Sequence, residues 1–365
     1  MHDFFYAVLI FISGIVAQKL SLAPSSVLLI SLIGFLSLAW YFHYTDKFRI
    51  ALLLFPLIFS MGFFLCLFQQ HKQKKFQDLV QGKVLSVKGI VSSCEYIDNP
   101  RFKYRTLIDI FEIKITSRAP EQVSQTIGIY SQSKPTFLIQ DTVEIEELSF
   151  KQSANQSFNN YLAKEKIGST AYVQKIQYNL IKRASWNIKK ALFYTRENLF
   201  YVLQNTIGKE TFPLFSSIFL GARTPVKKRM EQNKESFKIW GISHYLARSG
   251  LHLVIFALVW HYILNLLPFA YFLKQIFLLL LIMLYAILTW ESISFDRALL
   301  MYLLYRLCVL NRTPLHYVHL VTLATFLVLL WNPLQLLFLD FQLSFGLTFA
   351  LAWFNHIEAH KKRIL

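Results

Sequence analysis

Long apolar runs at both ends of the chain constrain its fold more than any other feature of the sequence. The runs from about Leu22 to Phe42 and from about Phe269 to Trp290 contain close to the roughly 20 apolar residues that cross a bilayer as a helix. Hydrophobic residues make up 55% of the 365 residues, and the mean hydropathy is +0.40. Ordinary soluble domains are less apolar than this. The sequence therefore predicts a polytopic α-helical membrane protein.

The apolar runs fall into two groups. Residues 1–70 contain three of them, which predict three N-terminal transmembrane helices. Residues 241–365 contain most of the others, and Pro268, Pro314 and Pro333 separate these as prolines do at helix boundaries.

The short loops between the N-terminal runs predict an orientation. Lys47 and Arg49 lie in the loop after the second run, whereas the loop before it carries only Lys19. Because cytoplasmic loops carry the excess of Lys and Arg, this asymmetry puts the N-terminus in the cytoplasm. The segment that follows the third run is then expected outside the cytoplasm.

Residues 80–183 have a different period from the apolar runs. The stretch "DTVEIEEL", which begins at Asp141, alternates between two faces, and "LIDIFEIKI", which begins at Leu107, follows the same period. Alternation with a period of two between turn residues is typical of strands. We expect a small extracytoplasmic β domain here, folded as a barrel or a sandwich.

Residues 184–240 predict amphipathic helices and a basic linker. Trp186, Phe193 and Phe200 recur every seven residues, and basic side chains lie opposite them. A helix of this kind suits the membrane interface, and it equally suits packing on a soluble domain. The stretch "GARTPVKKRMEQNKESFKIWG" that follows is short, basic and polar.

The formal net charge of the chain is +17, and most of the positive excess lies between His71 and Gly250. Such an excess attracts anionic lipid head groups, or a polyanion such as nucleic acid. Lipid is the simpler interpretation, but composition leaves both open.

Metal ligands and catalytic groups form no known motif in this sequence. His244 and His252 are eight residues apart, so on one helix they lie about 80° out of alignment, and no third ligand accompanies them. The three cysteines form no CxxC pair, which argues against a zinc site or a disulfide framework. No GxSxG, P-loop or HxHxDH motif occurs. The sequence therefore predicts a protein that is not an enzyme and holds no metal or cofactor.

Ionisable side chains also occur within the predicted membrane region. Arg297 follows Asp296 between apolar runs, and Asp340 lies near the start of another polar patch. Ionisable groups at membrane depth are costly, so they usually pair with one another or line a pathway. An ion pair between Arg297 and Asp340 is the structural interpretation. A polar lining shared with Gln342 and Ser344 is the functional one, and both stay open.

Several stretches, in order along the chain, resemble one protein family. "GISHYLARSGLHLVIF", residues 241–256, is similar to the signature of the ComEC-type competence proteins, the bacterial inner-membrane channels for transforming DNA. "SSIFLGARTPV", "SISFDRALLM" and "WNPLQLLFLDFQLSFGL" resemble further segments of that family. "SFNNYLAKEKIGSTAYV" resembles the end of its extracytoplasmic OB-like domain.

The resemblance implies a fold and a function. The fold is a polytopic α-helical protein of the bacterial plasma membrane, with a small OB-like β-barrel inserted at residues 80–183 and held outside the cytoplasm. The function is that of an inner-membrane channel component that translocates single-stranded DNA during natural transformation. The expected partners are single-stranded DNA, membrane lipid, other DNA-uptake proteins and further copies of the chain.

The resemblance also implies two groups of site residues. The competence motifs would contribute a pathway lined by His244, Arg248, Ser249, Gly250, His252, Arg297, Asp340, Gln342 and Ser344. OB folds bind single strands through basic grooves and stacking aromatic rings, and the cluster "RFKYR" supplies both. The DNA-binding residues expected from this cluster are Phe102, Lys103, Tyr104 and Arg105. An exposed hairpin tip is the other interpretation of the same cluster.

Two features depart from the family pattern. Arg248 stands where the family has a small or aliphatic residue, so it is either a phosphate contact peculiar to this protein or a mark of decay. The sequence stops at Leu365, where the family continues with further spans and often a metallo-β-lactamase-like domain. We therefore expect a short form, whose missing spans come from a second chain, or a split or non-functional fragment of such a channel. The alternatives are a membrane transporter or scaffold whose β domain binds another ligand, and a membrane metal hydrolase.

Overall fold

The computed structural model describes most of the chain, which divides into two compact units. The first unit contains Met1–Lys74 and Leu300–Leu365, and the second contains Lys75–Leu299. The described residues are 2–20, 22–45, 55–80, 83–97, 99, 101–115, 120–150, 155–185, 187–208, 211–220, 239–240, 250–289, 293–313 and 316–364.

Helices account for most of the described residues, and strands cluster between the third and fifth helices. The helices are α1 (His2–Lys19), α2 (Pro24–Thr45), α3 (Phe55–Leu79), α4 (Gln156–Lys164), α5 (Ile188–Ile207), α6 (Phe212–Phe215), α7 (Gly250–Asn265), α8 (Tyr271–Leu288), α9 (Ile293–Leu310), α10 (Tyr317–Trp331) and α11 (Leu339–Ile364). A π-helical turn covers Ser216–Leu220, and a 3-10 turn covers Pro333–Leu337. The strands are β1 (Lys83–Tyr96), β2 (Tyr104–Ile115), β3 (Glu121–Ser131), β4 (Thr142–Ser149), β5 (Ile167–Val173) and β6 (Tyr178–Lys182).

In the first unit, α1 and α3 touch backbone to backbone. A Cβ atom on Gly14 would clash with the carbonyl oxygen of Phe59, and one on Gly62 would clash with that of Phe11. Small residues at such crossings let two helices approach closely, which is how helices often associate in membranes. The two glycines therefore set the distance between α1 and α3.

Amide side chains connect the helices of the first unit near the same contact. Gln18 on α1 donates to Gln70 on α3 over 2.9 Å, and the Cys66 thiol donates to Gln18 over 3.1 Å. Gln69 donates to the buried Asn332, which precedes the 3-10 turn, over 3.2 Å. Buried polar groups need such partners, because an unmade hydrogen bond in an apolar environment is costly.

Among the described residues, one helix is long and apolar enough to cross a bilayer, judged by length and composition. It is α8, whose 18 residues have a mean hydropathy of 2.2. Shorter apolar helical stretches are Phe4–Lys19, Pro24–Gly34, Gly250–Asn265 and Tyr317–Trp331. The helical fold class is confirmed, whereas the crossing of the membrane by several helices stays a prediction.

The strands of the second unit form one mixed sheet in the order β5-β3-β2-β1-β4-β6. All neighbours are antiparallel except β3 and β5, which are parallel. An isolated antiparallel bridge joins Phe150, just after β4, to Ala171 on β5. Apart from this bridge, no strand pairing of the described residues closes the sheet, so the predicted closed OB-like barrel is not confirmed. The prediction of strands in this part of the chain is confirmed.

The core of the sheet is made mainly of β-branched side chains, which fit a pleated surface well. Its largest contributions come from the inward faces of β1 to β4, and Ile108, Ile127 and Ile145 are almost fully buried there. Phe76 and Val80, at the end of α3 and just after it, complete the same core. The helix end therefore covers apolar side chains that the open sheet would otherwise expose.

The helix α5 lies where the sequence predicts an amphipathic helix. Asn187 caps its first turn, since the side-chain oxygen of Asn187 accepts a hydrogen bond from the backbone N–H of Lys189. Arg196 donates to the carbonyl oxygen of Ile287 on α8 over 2.7 Å. None of its described side chains is fully buried. Its location at a membrane interface stays a prediction, as do the predicted domain boundaries.

Candidate nucleic-acid interface

Three loops meet at one end of the sheet. Lys103, just before β2, donates its backbone N–H to the carbonyl of Ser131 over 3.0 Å, and its own carbonyl accepts from Ile97 over 2.8 Å. The backbone N–H groups of Gln132 and Ser133 both reach the carbonyl of Gln174, over 3.1 and 3.4 Å. These bonds hold together the loops that follow β1, β3 and β5.

Aromatic rings form a platform beside these loops. Tyr130 on β3 and Tyr172 on β5 are paired in the parallel ladder, and their rings stack with centroids 5.2 Å apart and planes 18° apart. The ring of Phe102 lies 5.2 Å from that of Tyr172. We call these three rings the aromatic platform. Tyr172 is the most open of them, with 38% of its surface exposed.

Exposed basic side chains lie on the three loops that meet at this end of the sheet. We call them the basic rim. They are Arg101, Lys103, Lys134 and Lys175. Rings that offer a flat face beside flexible cations are the two elements with which proteins hold single-stranded nucleic acid, because bases stack on the rings and cations attract the phosphates.

Arg105 stands in the same cross-strand row as the platform but is already engaged. Its Cα pairs with those of Glu95 on β1 and Tyr130 on β3. Its Nη2 donates to the Glu95 carboxylate over 2.9 Å, and its Nη1 donates to the hydroxyl of Tyr161 on α4 over 3.1 Å. Only 16% of the Arg105 side chain is exposed. The guanidinium therefore links β1 to α4 beside the aromatic platform.

Electrostatics keep Arg105 charged despite its burial. Desolvation lowers the pKa of Arg105, but the nearby Glu95 carboxylate and Tyr161 hydroxyl more than offset this, and the net shift is upward. Burial raises the pKa of the neighbouring Tyr130, against the opposing effect of the Arg105 charge. Tyr130 therefore keeps its hydroxyl proton at neutral pH, and its ring carries no charge that would repel a phosphate.

The cluster "RFKYR" predicted from sequence does not act as one surface. Phe102 belongs to the aromatic platform and Lys103 to the basic rim. Tyr104 and Arg105 are successive residues of a strand, so their side chains point to opposite faces. The Tyr104 ring lies edge-on to Tyr96 at 5.7 Å. A DNA-binding role for each of the four stays a prediction.

Sequence reasoning missed Tyr130, Tyr172, Lys134 and Lys175. Each lies in or beside a segment that reads as a strand or turn, but none stands in a conspicuous cluster. Only the pairing of β2 with β3, and of β3 with β5, brings them next to Phe102. The signal that the sequence offered is a single tyrosine one residue before the end of each of the strands β3 and β5.

The competence-like region has a second aromatic cluster near its first described helix. The rings of Phe256 on α7 and Tyr285 on α8 stack 4.3 Å apart, and Tyr285 donates its hydroxyl proton to the carbonyl of Phe219 over 2.7 Å. The ring of His252 lies 5.9 Å from that of Phe219. Phe219 itself lies in the π-helical turn, a local form that often occurs at functional sites.

Gly250 begins α7 and lies against α9. A Cβ atom on Gly250 would approach the Cβ of Ala298 to 2.8 Å, so the contact admits no larger residue without a shift. Arg297, next to Ala298, is buried at 4% exposure. Of the other residues predicted from this motif, His244, Arg248 and Ser249 lie outside the described part of the chain.

The remaining predicted pathway residues lie on α11 in the first unit. Asp340 is exposed in the first turn of this helix, where a carboxylate suits the positive end of the helix dipole. Gln342 is exposed and donates to the carbonyl of Leu336 over 2.9 Å. Ser344 is half-buried, and its carbonyl accepts from Thr348 over 2.7 Å. The pairing of Asp340 with Arg297 stays a prediction.

Within the described residues, no three His, Cys, Asp or Glu side chains are grouped closely enough to hold a metal ion.

Comparison with known proteins gives one match. No curated protein and no solved structure matches the chain. Residues 219–364 match the family described as "Competence protein". The match includes α7 to α11 and most of the motifs that carry the resemblance, so the resemblance is confirmed. Residues 219–364 are therefore similar to the competence protein family.

Proposed function

We propose that this protein is an inner-membrane component of DNA uptake that binds single-stranded DNA outside the cytoplasm and passes it through the competence region. The match of residues 219–364 to the competence family supports a part in DNA uptake and an association with the membrane. The observation that carries the finer proposal is the aromatic platform bordered by the basic rim on the β domain.

The chemistry of the platform favours single strands over duplex. The faces of Phe102 and Tyr172 can receive bases only when those bases are unstacked from their neighbours, as they are in a single strand. Each base that stacks on an aromatic side chain contributes about 1–3 kcal/mol, with little dependence on its identity. Uptake of arbitrary DNA needs this tolerance of sequence.

The strand order supports an OB-like arrangement as part of the proposal. OB folds are partly open five-stranded barrels that bind oligonucleotides on the face of strands 2 and 3 and on the loop between strands 1 and 2. Here the platform and rim lie on β3, on β5 and on the loops that follow β1, β3 and β5. The isolated bridge between Phe150 and Ala171 joins the end of β4 to β5, which are the strands that a closed barrel would pair.

Exposed apolar side chains support the membrane part of the proposal. On α2, the consecutive residues Leu28, Leu29 and Ile30 are each more than half exposed. A helix that exposes apolar side chains all round finds its favourable environment in lipid rather than in water. We infer that α2 faces lipid and that the protein spans the membrane several times, with other DNA-uptake proteins or a second chain completing the conduit.

The polar groups of the competence region would serve transport rather than catalysis. His252, Arg297, Gln342 and Ser344 can exchange hydrogen bonds with bases or phosphates without forming a covalent bond. The basic members offset the cost of bringing phosphates to membrane depth. We therefore propose a non-enzymatic role that needs no cofactor.

Binding by the full-length protein tests the proposal directly. The chain is reconstituted in nanodiscs of zwitterionic lipid, and fluorescence anisotropy follows its binding to a labelled oligothymidylate as NaCl is varied. We expect the logarithm of the association constant to fall linearly with the logarithm of the salt concentration. The slope should be about −0.7 for each phosphate contacted. Competition by duplex of the same length should be weaker. Equal binding of both, or none of either, contradicts the proposed function.

Transformation of a competent host tests the role in the cell. Deleting the gene in a host without a second copy should abolish the uptake of marker DNA. Normal transformation after the deletion contradicts a role in DNA uptake.

A further inference from the structure

We propose that Arg105 is a positioning residue that holds the aromatic platform in place, and that the phosphates of a bound strand are contacted by the basic rim instead. This inference rests on the proposed binding of single-stranded DNA. It divides the cluster predicted from sequence into residues that touch the ligand and a residue that supports them.

The hydrogen bonds of Arg105 argue against a phosphate contact. Both of its terminal nitrogens already donate, Nη2 to Glu95 and Nη1 to Tyr161. These bonds use two of the five N–H groups of the guanidinium, and its buried Nε has no hydrogen-bond partner. A phosphate that approached Nη2 would compete with the Glu95 carboxylate, which has the same charge sign and similar hydrogen-bond geometry. Such an exchange adds little, because one charge-assisted pair replaces another.

The burial of the Arg105 side chain also argues against a phosphate contact. The Arg105 side chain is only 16% exposed, whereas Arg101 and Lys103 are exposed. A strand that follows the loops meets these flexible cations before it can reach a guanidinium enclosed between β1, β2 and α4. Salt-dependent attraction therefore comes from the rim.

Arg105 has the right partners to fix the platform. It joins Glu95 on β1 to Tyr161 on α4, and it lies beside Tyr130 in the cross-strand row. Tyr130 in turn stacks on Tyr172. Phe158 and Tyr161 also stack on α4, with centroids 6.3 Å apart. By tying α4 to the row, Arg105 keeps the edge of the platform in one conformation before any base arrives.

Affinity and salt dependence together distinguish a phosphate contact from a positioning residue. Removing a phosphate contact lowers both the affinity and the salt slope, the slope by about 0.7 for one contact. Removing a positioning residue lowers the affinity but leaves the number of phosphates contacted, and hence the slope, unchanged. A change to lysine distinguishes the two roles further, because lysine keeps the charge but lacks the planar fork that bonds two partners at once.

The test measures oligothymidylate binding to full-length variants in nanodiscs over a series of NaCl concentrations. We expect Arg105→Gln and Arg105→Lys to weaken binding by about tenfold with the wild-type slope, a loss equivalent to about one stacked base. Tyr161→Phe, which removes the hydrogen bond between Arg105 and Tyr161, should weaken binding less than the Arg105 variants do, with the same salt slope. Lys103→Gln should lower the slope by about 0.7. Lys114→Gln, which removes an exposed charge near the other end of β2, is the matched control and should change neither.

Two results would overturn the inference. One is a lower salt slope in Arg105→Gln together with wild-type behaviour in Arg105→Lys, which would make Arg105 a phosphate contact. The other is an unchanged affinity in both Arg105 variants and in Tyr161→Phe. Thermal unfolding of each variant shows whether it is folded, and if the Arg105 variants are not, Tyr161→Phe decides alone. Failure of the proposed function is distinct, because the wild-type protein would then not bind the oligonucleotide.

Discussion

Tyr172 shows how one ring can carry much of a binding site. It stacks on Tyr130, lies against the tilted ring of Phe102, and still leaves 38% of its surface exposed. A ring that is held by neighbouring rings and is still partly exposed is preorganised for a base, because stacking then costs little side-chain entropy. Neighbouring cations alone would bind a polyanion without distinguishing single strands from duplex.

Replacing Tyr172 with alanine should therefore weaken the binding of oligothymidylate. The expected loss is about tenfold to a hundredfold, as for one base–aromatic stack, and the salt slope should not change. Anisotropy titrations of the full-length variant in nanodiscs measure both quantities. Phe111→Ala is the matched control, since Phe111 is also an exposed ring but lies six residues beyond Arg105 on β2. Equal losses in the two variants would contradict a local role for Tyr172.

At the level of elements, the fit of α3 against the sheet depends on a glycine. A Cβ atom on Gly168 would lie 2.5 Å from Cδ1 of Phe76 and 2.6 Å from Cγ of Gln125. Phe76 is buried in the sheet core at 4% exposure, so it has little room to move. The start of β5 and the end of α3 are therefore matched to each other in shape.

Gly168→Ala should destabilise the protein by about 1–3 kcal/mol, as overpacking of a core does. Thermal unfolding followed by intrinsic fluorescence in nanodiscs measures the change. Gly128→Ala is the control on the adjoining strand β3, because its nearest contacts would be at 3.6 Å, an ordinary van der Waals distance. A Gly168→Ala protein as stable as Gly128→Ala would show that Phe76 adjusts freely.

The crossing of α1 and α3 gives a second prediction for paired elements. Gly14→Val should prevent the backbone contact with Phe59. It should lower the stability of the protein by at least as much as Gly168→Ala does, since backbone atoms cannot rotate away. Gly346→Ala on α11 is the control, because nothing lies within 4 Å of the added methyl group. Alanine has the higher helix propensity, so that variant should be as stable as the wild type or slightly more so.

For the whole molecule, the charge of the loops and the position of the β domain make one prediction about the cell. The excess of Lys47 and Arg49 over Lys19 predicts that the segment after the third apolar run lies outside the cytoplasm. The basic rim would then meet incoming DNA before the membrane does. The same orientation leaves the carboxy-terminal "HKKRIL" in the cytoplasm only if an odd number of spans follows the β domain.

Cysteine labelling in intact cells tests this orientation. Ser133→Cys, on a loop of the basic rim, should react with a membrane-impermeant maleimide in intact spheroplasts. Lys47→Cys should react only after the cells are lysed. Each is compared with the parent chain, in which Cys66 is buried and Cys94 and Cys308 are half-buried, so that the labelling of the native cysteines is subtracted. The reverse pattern would invert the topology and remove the β domain from the side where DNA arrives.

Local patterns were enough to predict the helical class, the strands between residues 80 and 183, and the family that residues 219–364 confirm. Period and motif spacing are properties of short segments, and so they can be read without knowing what lies beside them. The aromatic platform is different, because Phe102, Tyr130 and Tyr172 are far apart in the chain and meet only through the register of β2, β3 and β5. The strand alternation that separates Tyr104 from Arg105, and the ion pair that engages Arg105, likewise follow from contacts between segments. Those contacts depend on long-range packing, which no single stretch of the chain contains.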